Sequence, residues 1–335
     1  MTTSQAPRPA DTAVAQTTDP NGSRWSRIPG FGRPTPSFVH RWAIGLLVAN
    51  IGIVATGGAV RLTGSGLGCP TWPQCTDNSF VPHGELGIHG VIEFGNRMLT
   101  WVLIIIAIAT WTAVLRATTS PRRDTLLATV LALGIPFQGV IGGITVLTQL
   151  NPWVVALHFL LSMGLVSGAT VLVYRTRPNL TPGSTPSLSA RYGVVLSWLL
   201  YLATWVTVYL GTVVTGSGPH AGDVKAPRNG LAPGAATQLH ADAVFVLVGL
   251  TIAITVVALV GRLPQARVVL TYVGLLVLQA VIGVVQYVTD LPIALVIAHM
   301  IGSALLLVGA TWLVLRFRTA EAEPYGGSEK ASSAV

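Results

Sequence analysis

The chain has 335 residues, of which 51% are hydrophobic and only 10% charged, and its mean hydropathy is +0.64. Soluble chains carry roughly 25% charged residues, so 20 basic and 12 acidic side chains are too few to cover a soluble surface of this size. Disordered, collagenous and disulfide-scaffold chains are excluded by the apolar content, the lack of a three-residue Gly period and the count of two Cys, which leaves a polytopic membrane protein with a net charge of +8.

The first 40 residues are rich in Pro, Ser, Thr and Arg, hold no short apolar core ahead of a cleavage site, and read as a disordered tail. A bilayer core of about 30 Å needs roughly 20 apolar residues per helix. Eight stretches meet that length, at about 41–61, 96–115, 125–147, 153–174, 193–215, 239–261, 268–288 and 292–315. A Pro/Ser/Thr-rich linker, 176–192, divides them four and four, and a second tail occupies 319–335. With the N-terminus in the cytoplasm, sixteen of the twenty basic residues fall on the cytoplasmic side. Arg61, Arg97, Lys225 and Arg228 remain outside. This is the positive-inside bias, and it places both termini in the cytoplasm. The basic residues do not cluster with aromatics on one surface as a nucleic-acid site requires.

The chain repeats itself. Gln138-Gly-Val-Ile-Gly142, Thr148, His158 and Ser162 recur as Gln279-Ala-Val-Ile-Gly283, Thr289, His299 and Ser303, each displaced by 141 residues. Thr63-Gly-Ser-Gly66 recurs as Thr215-Gly-Ser-Gly218. The expected architecture is all-α and integral to the membrane: eight transmembrane helices as two pseudo-symmetric four-helix bundles, 41–175 and 193–318. An even number of helices per half makes these parallel repeats, related by an axis along the membrane normal.

Ionisable groups inside spans cost a few kcal/mol each and are default site candidates. His158 and His299 lie early in helices four and eight, within roughly 10 Å of the outer surface at 1.5 Å per residue, and His240 begins helix six on the same side. Two His on different helices of one bundle at matching depth are what bis-imidazole ligation of a haem iron requires; hydrogen bonding to a neighbouring helix is the plainer alternative. The counterpart of His240 in the first half is Asn96. Glu93, Asn96 and Arg97 share one helical face with His89 further out. They read either as an interfacial ion pair or as a carboxylate beside a ligand, and Thr237 stands at the Glu93 position of the second half. Asp242 is expected to be interfacial or a partner of a His. Cys69 and Cys75 sit in an oxidising outer loop, where a disulfide is the leading reading and a redox-active pair the other. Gly57, Gly58, Gly142 and Gly143 suit close helix packing, or room for a flat macrocycle.

The run Thr56-Gly-Gly-Ala-Val-Arg-Leu-Thr-Gly-Ser-Gly-Leu-Gly-Cys-Pro-Thr-Trp-Pro-Gln-Cys75, with Ile92-Glu-Phe-Gly-Asn-Arg97, resembles the haem A synthase family, in its bacterial, actinobacterial form with paired first-loop cysteines. The resemblance covers about 40–316. It implies a multi-pass enzyme of the bacterial plasma membrane with its haem sites toward the outer face. That enzyme oxidises the C8 methyl of haem O to a formyl group by successive hydroxylations, making haem A for cytochrome oxidase. It implies haem b on His240 and His299, haem O as substrate at His158 in the first bundle, a chemical role for Glu93, and a Cys69–Cys75 disulfide. It also implies haem O synthase as a partner, leaves the electron donor or acceptor unnamed, and leaves room for a homo-oligomer. One position departs: the family's Glu-x-x-His-Arg reads Glu93-Phe-Gly-Asn96-Arg97 here. The substrate iron is therefore expected on His158 alone, with His89 as a candidate second ligand. The competing expectations are a di-haem b-type quinol electron-transfer protein and a proton-coupled transporter.

Overall fold

A computed structural model describes residues 33–117, 121–177 and 188–321, with the side chains of the last three left out. Among these the chain forms eight helices long and apolar enough to cross a membrane, and no β-strand. They are α1 (Pro36–Leu62), α2 (Gly87–Arg116), α3 (Arg122–Leu147), α4 (Pro152–Arg175), α5 (Leu188–Ser217), α6 (Pro233–Val260), α7 (Ala266–Val288) and α8 (Ile293–Glu321). The expected tails at 1–32 and 322–335, and the linker core 178–187, lie outside the described residues.

Every helix is found where hydropathy places it, but several run further. Residues 36–40, expected in the tail, form the first turn of α1: Pro36 stands at a helix start, where its missing N–H costs nothing, and the Thr35 hydroxyl accepts from the Phe38 N–H at 3.3 Å. α2 begins at Gly87 rather than near residue 96, so His89 and Glu93 are helical. α5 starts at 188, inside the expected linker, and α6 starts at Pro233, six residues early. α8 runs through 319–321, which the expected tail included. An apolar window finds where lipid solvates a helix. It misses turns that protein loops stabilise instead.

Within the first four helices, α1 and α3 each pack on both α2 and α4, which closes a ring with α2 and α4 on its diagonal. The last four close the same way, with α6 and α8 on the diagonal. α8 packs on α1 and α4, and α4 on α5, so the two rings share a seam. The first ring is filled by Leu46, Leu103, Leu131, Ile135 and Leu172, and the second by Leu200, Leu247, Ile254, Tyr272 and Phe317. The seam has its own core of Met163, Val208, Ala304 and Leu307. Polar bonds cross it too: Ser167 of α4 meets Thr311 of α8 and Tyr201 of α5, each at 3.0 Å. The outward faces carry exposed Trp101, Ile105, Phe245 and Val260, as a lipid-facing surface requires.

Four connections, α1–α2, α3–α4, α5–α6 and α7–α8, gather at one end, here the loop end. There the halves interlock: Gly66 N–H donates to Gly222 O at 2.8 Å, and Arg61 reaches the α5–α6 connection. At the other end Asp124 in the first turn of α3 pairs with Arg175 at 3.3 Å, and the His40 ring bonds the Thr176 hydroxyl at 3.2 Å.

Leu307 is fully buried in the seam core. Leu307→Ala is expected to cost about 2–5 kcal/mol, read as a lowered thermal midpoint in detergent; an unchanged midpoint would mean the seam contributes little to stability.

Candidate functional site

The second ring brings together the two His residues that the sequence singled out in it. His240 on α6 and His299 on α8 come from diagonal helices, and their rings meet across the interior with centroids 6.5 Å apart at 71°. Two imidazoles binding one metal ion at about 2 Å per nitrogen have ring centres roughly 6 Å apart, so the pair has the separation of two ligands to a single ion. His240 Nδ1 bonds the Thr207 carbonyl of α5 at 3.0 Å, which fixes the ring and leaves Nε2 as its other nitrogen. His299 Nδ1 is buried with no hydrogen-bond partner. Each ring edge rests on a glycine of the next helix, His240 on Gly211 of α5 and His299 on Gly283 of α7. A Cβ at either glycine would lie 3.3 or 3.1 Å from the imidazole.

The first ring repeats half of this. His158 of α4 rests on Gly142 of α3, 3.4 Å from where a Cβ would be, and its buried Nδ1 also lacks a partner. His158 and His299 are each the seventh residue of their helix, counting from Pro152 and Ile293. Gln138 Nε2 donates to the His158 carbonyl at 3.2 Å, and Gln279 Nε2 to the His299 carbonyl at 2.7 Å. Sequence reasoning noted these glutamines as repeat markers but missed their contact; the shared spacing of twenty residues to each His was the available signal. On the opposite diagonal helix, α2, Asn96 accepts from the Thr56 hydroxyl of α1 at 2.8 Å. The ring pair of the second half has no equivalent here.

Glu93 and Arg97 form a buried clamp. Glu93 Oε2 accepts from the Cys69 N–H at 2.8 Å, and Oε1 takes Arg97 Nη2 at 2.5 Å and Nε at 3.2 Å. Arg97 also donates to the carbonyls of Cys69, Thr71 and Gln74. The Glu93–Arg97 ion pair is present, and at 7% exposure on the Glu93 side it is buried rather than interfacial. The clamp grips the loop that the Cys69–Cys75 disulfide closes, with both sulfurs fully buried. On its far side Trp72 lies so closely on Gly143 of α3 that a Cβ there would overlap the indole. The loop is thus fastened to α2 one turn from Asn96 and to α3 one residue from the glycine under His158.

Other expected residues separate. His89 is exposed, two turns outward from Asn96, and its Nδ1 bonds Ser65 Oγ at 2.9 Å. Asp242 faces outward and accepts from Gln238 at 2.8 Å, so it does not support a His; residues two apart on a helix do not share a face. Gly58 receives Met300 of α8, and nothing lies within 4 Å of a Cβ at Gly57.

The family model described as cytochrome oxidase assembly protein (COX15-CtaA) matches residues 40–90 and 85–311. Among curated proteins, the heme A synthase of Shewanella oneidensis is 26% identical over 309 residues, 78% of this chain and 91% of that one. The heme A synthase of Bacillus licheniformis is 25% identical over 272 residues, 75% and 87% of the two chains. That of Geobacillus kaustophilus is 33% identical over 142 residues, 40% and 42%.

Removing a partner from a buried ion pair costs about 3–5 kcal/mol. Glu93→Ala is therefore expected to loosen the loop. A water-soluble phosphine should then reduce the disulfide at least about tenfold faster than in wild type, scored by thiol labelling of Cys69 and Cys75. Equal rates would show that Glu93 does not hold the loop.

Proposed function

The chain belongs to the cytochrome oxidase assembly protein family, COX15-CtaA, and from that we propose that it makes haem A for cytochrome oxidase by oxidising the C8 methyl group of haem O to a formyl group. The full-length relatives named heme A synthase support this. The observation that carries it is the His240–His299 pair, two imidazoles from diagonal helices at 6.5 Å. Among the described residues no three of His, Cys, Asp and Glu converge on one point, so a cage made of protein ligands is absent there. A haem, whose macrocycle supplies four nitrogens of its own, would need only two imidazoles from the protein. The residues therefore fit a b-type haem, held by His240 and His299. When bound, that haem supplies one-electron transfer.

The first bundle takes the substrate. His158, with a buried unpartnered nitrogen and a glycine beneath its ring, is the residue to hold the iron of haem O. Asn96 stands where the second bundle has His240 and is already bonded to Thr56; an amide is a weak iron ligand, and the substrate and product must leave. His89, held by Ser65 two turns away, plays no direct part. Glu93 acts from the mouth of this bundle, where its two oxygens set the disulfide loop against α2. Arg97 completes that setting, and Trp72 presses the loop onto α3. The loop so placed would close the substrate site from bulk water during two successive two-electron oxidations, each adding one oxygen atom and balanced by an oxygen source and redox partner outside this chain, that turn the methyl into an aldehyde hydrate, which then loses water. Haem O synthase is the source of the substrate. The loop end, with both sites near it, faces outward from the bacterial plasma membrane, and both termini lie in the cytoplasm, in keeping with the placement of the basic residues.

The second reading, a di-haem electron carrier, would need four His in like positions, and Asn96 fills one of them. Loss of an outer partner of a metal ligand costs about 10–100-fold in affinity, and loss of the ligand itself costs at least that. In cells supplied with haem O, His158→Ala is expected to keep b-type haem and lose haem A, scored by pyridine haemochrome spectra and chromatography of extracted haems. His240→Ala and His299→Ala are expected to lose the b-type haem. A wild-type protein that carries b-type haem and yields no haem A would establish the electron carrier instead.

A further inference from the structure

Arg61 is the last but one residue of α1, in the first bundle, but both of its side-chain hydrogen bonds go to the second. Its Nε donates to the His220 carbonyl at 2.6 Å and its Nη2 to the Thr215 carbonyl at 2.9 Å. Thr215 lies one turn beyond Gly211 on the same face of α5, and Gly211 is the backbone beneath the His240 ring. On α1 itself, Gly58 lies three residues before Arg61 and receives the sulfur of Met300, the neighbour of His299. Two helices thus bring Arg61 to the loop end of the His240–His299 pair from different directions.

Its charge is not balanced. Among the described residues neither Arg61 nor Arg228 forms an ion pair, and the charge acting on Arg61 is that of Arg228, a second cation. Arg228, itself exposed, donates to the carbonyls of Ala226 and Pro219, at 2.8 and 2.9 Å. Carbonyls satisfy N–H donors without neutralising a guanidinium, and a desolvated cation calls for an acid. Arg61 Nη1 makes no hydrogen bond among the described residues and is free to donate.

We propose that Arg61, supported by Arg228, binds a carboxylate of the ligand held by His240 and His299, namely a porphyrin propionate, so that the first bundle completes the cofactor site of the second. This rests on the haem reading of that pair.

The test uses the full chain in detergent, depleted of haem and titrated with iron protoporphyrin IX and with its dimethyl ester, which offers the same iron and masks both acids. A charge-assisted hydrogen bond is worth about 1.5–3 kcal/mol, roughly 10–100-fold in affinity. Wild type is expected to prefer the diacid by at least about tenfold. Arg61→Gln should weaken the diacid by a like factor and leave the ester unchanged, and Arg61→Lys should restore part of the preference. Equal binding of diacid and ester by wild type overturns the proposal, leaves the haem reading standing, and is the result expected if a lipid phosphate occupies Arg61. An Arg61→Gln protein that loses both ligands alike overturns it in favour of a purely structural arginine. Uptake of neither ligand by wild type overturns the haem reading along with it.

Discussion

Inside a bilayer no water is at hand to satisfy a polar group, so each one must find its partner within the protein. Most of this chain complies. Thr110, Thr170, Thr204, Thr251 and Thr311 return their hydroxyls to the carbonyl four residues earlier, at 2.7–2.8 Å. Gln138 and Gln279 give their amides to the carbonyls of His158 and His299. The accounting stops closing around the same residues: His158 Nδ1, His299 Nδ1 and the Oε1 atoms of Gln138 and Gln279, with those of Gln265 and Gln286, are buried and unpartnered. Four of these atoms belong to the two repeat-related Gln–His pairs, at the sites proposed above to hold a haem. The glycines under His240 and His299 keep these rings close to the neighbouring helix, because a Cβ there would lie only 3.3 and 3.1 Å from the imidazole; at Gly142, under His158, the contact would be an ordinary 3.4 Å.

The two halves share this plan and part company at the loop end. In the second, a His faces a His and the residue at the Glu93 position is Thr237, half-buried, whose hydroxyl donates to the Pro233 carbonyl of its own helix. In the first, the facing residue is Asn96, and a buried carboxylate, an arginine and a disulfide build a fastened loop over it. A permanent cofactor calls for two strong ligands and no door. A substrate calls for one firm ligand, a way in, and a cover. The proposal of a cofactor site beside a reaction site rests on this difference between the halves, and the Arg61 contacts give the two a shared boundary.

Much of this could be read from the residues. Eight apolar stretches locate eight helices, and the displacement of 141 puts His158 and His299 at the same depth before any coordinate is seen. Hydropathy fails where protein replaces lipid as the partner of a helix. The first nine residues of α2, from Gly87 to Gly95, carry His89 and Glu93, and tertiary bonds to Ser65 and Cys69 hold them. Spacing places Glu93 on one face with Arg97, but whether its oxygens meet a ligand or a loop depends on where residues 69–75 fold. Periodicity has no say in that. Asp242 misleads for a simpler reason, since nearness to His240 in sequence is not nearness on a helix. The reach of Arg61 into the other half depends on how the rings pack, which no local pattern encodes.

The proposed cofactor site has His240 and His299 binding one iron between them. Electron paramagnetic resonance of the oxidised, purified protein tests it directly. The expected result is a low-spin ferric haem signal of the bis-imidazole kind, converted to high spin or lost in His240→Ala and in His299→Ala and retained in His158→Ala. A low-spin signal unchanged by substitution at His240 or His299 would contradict it.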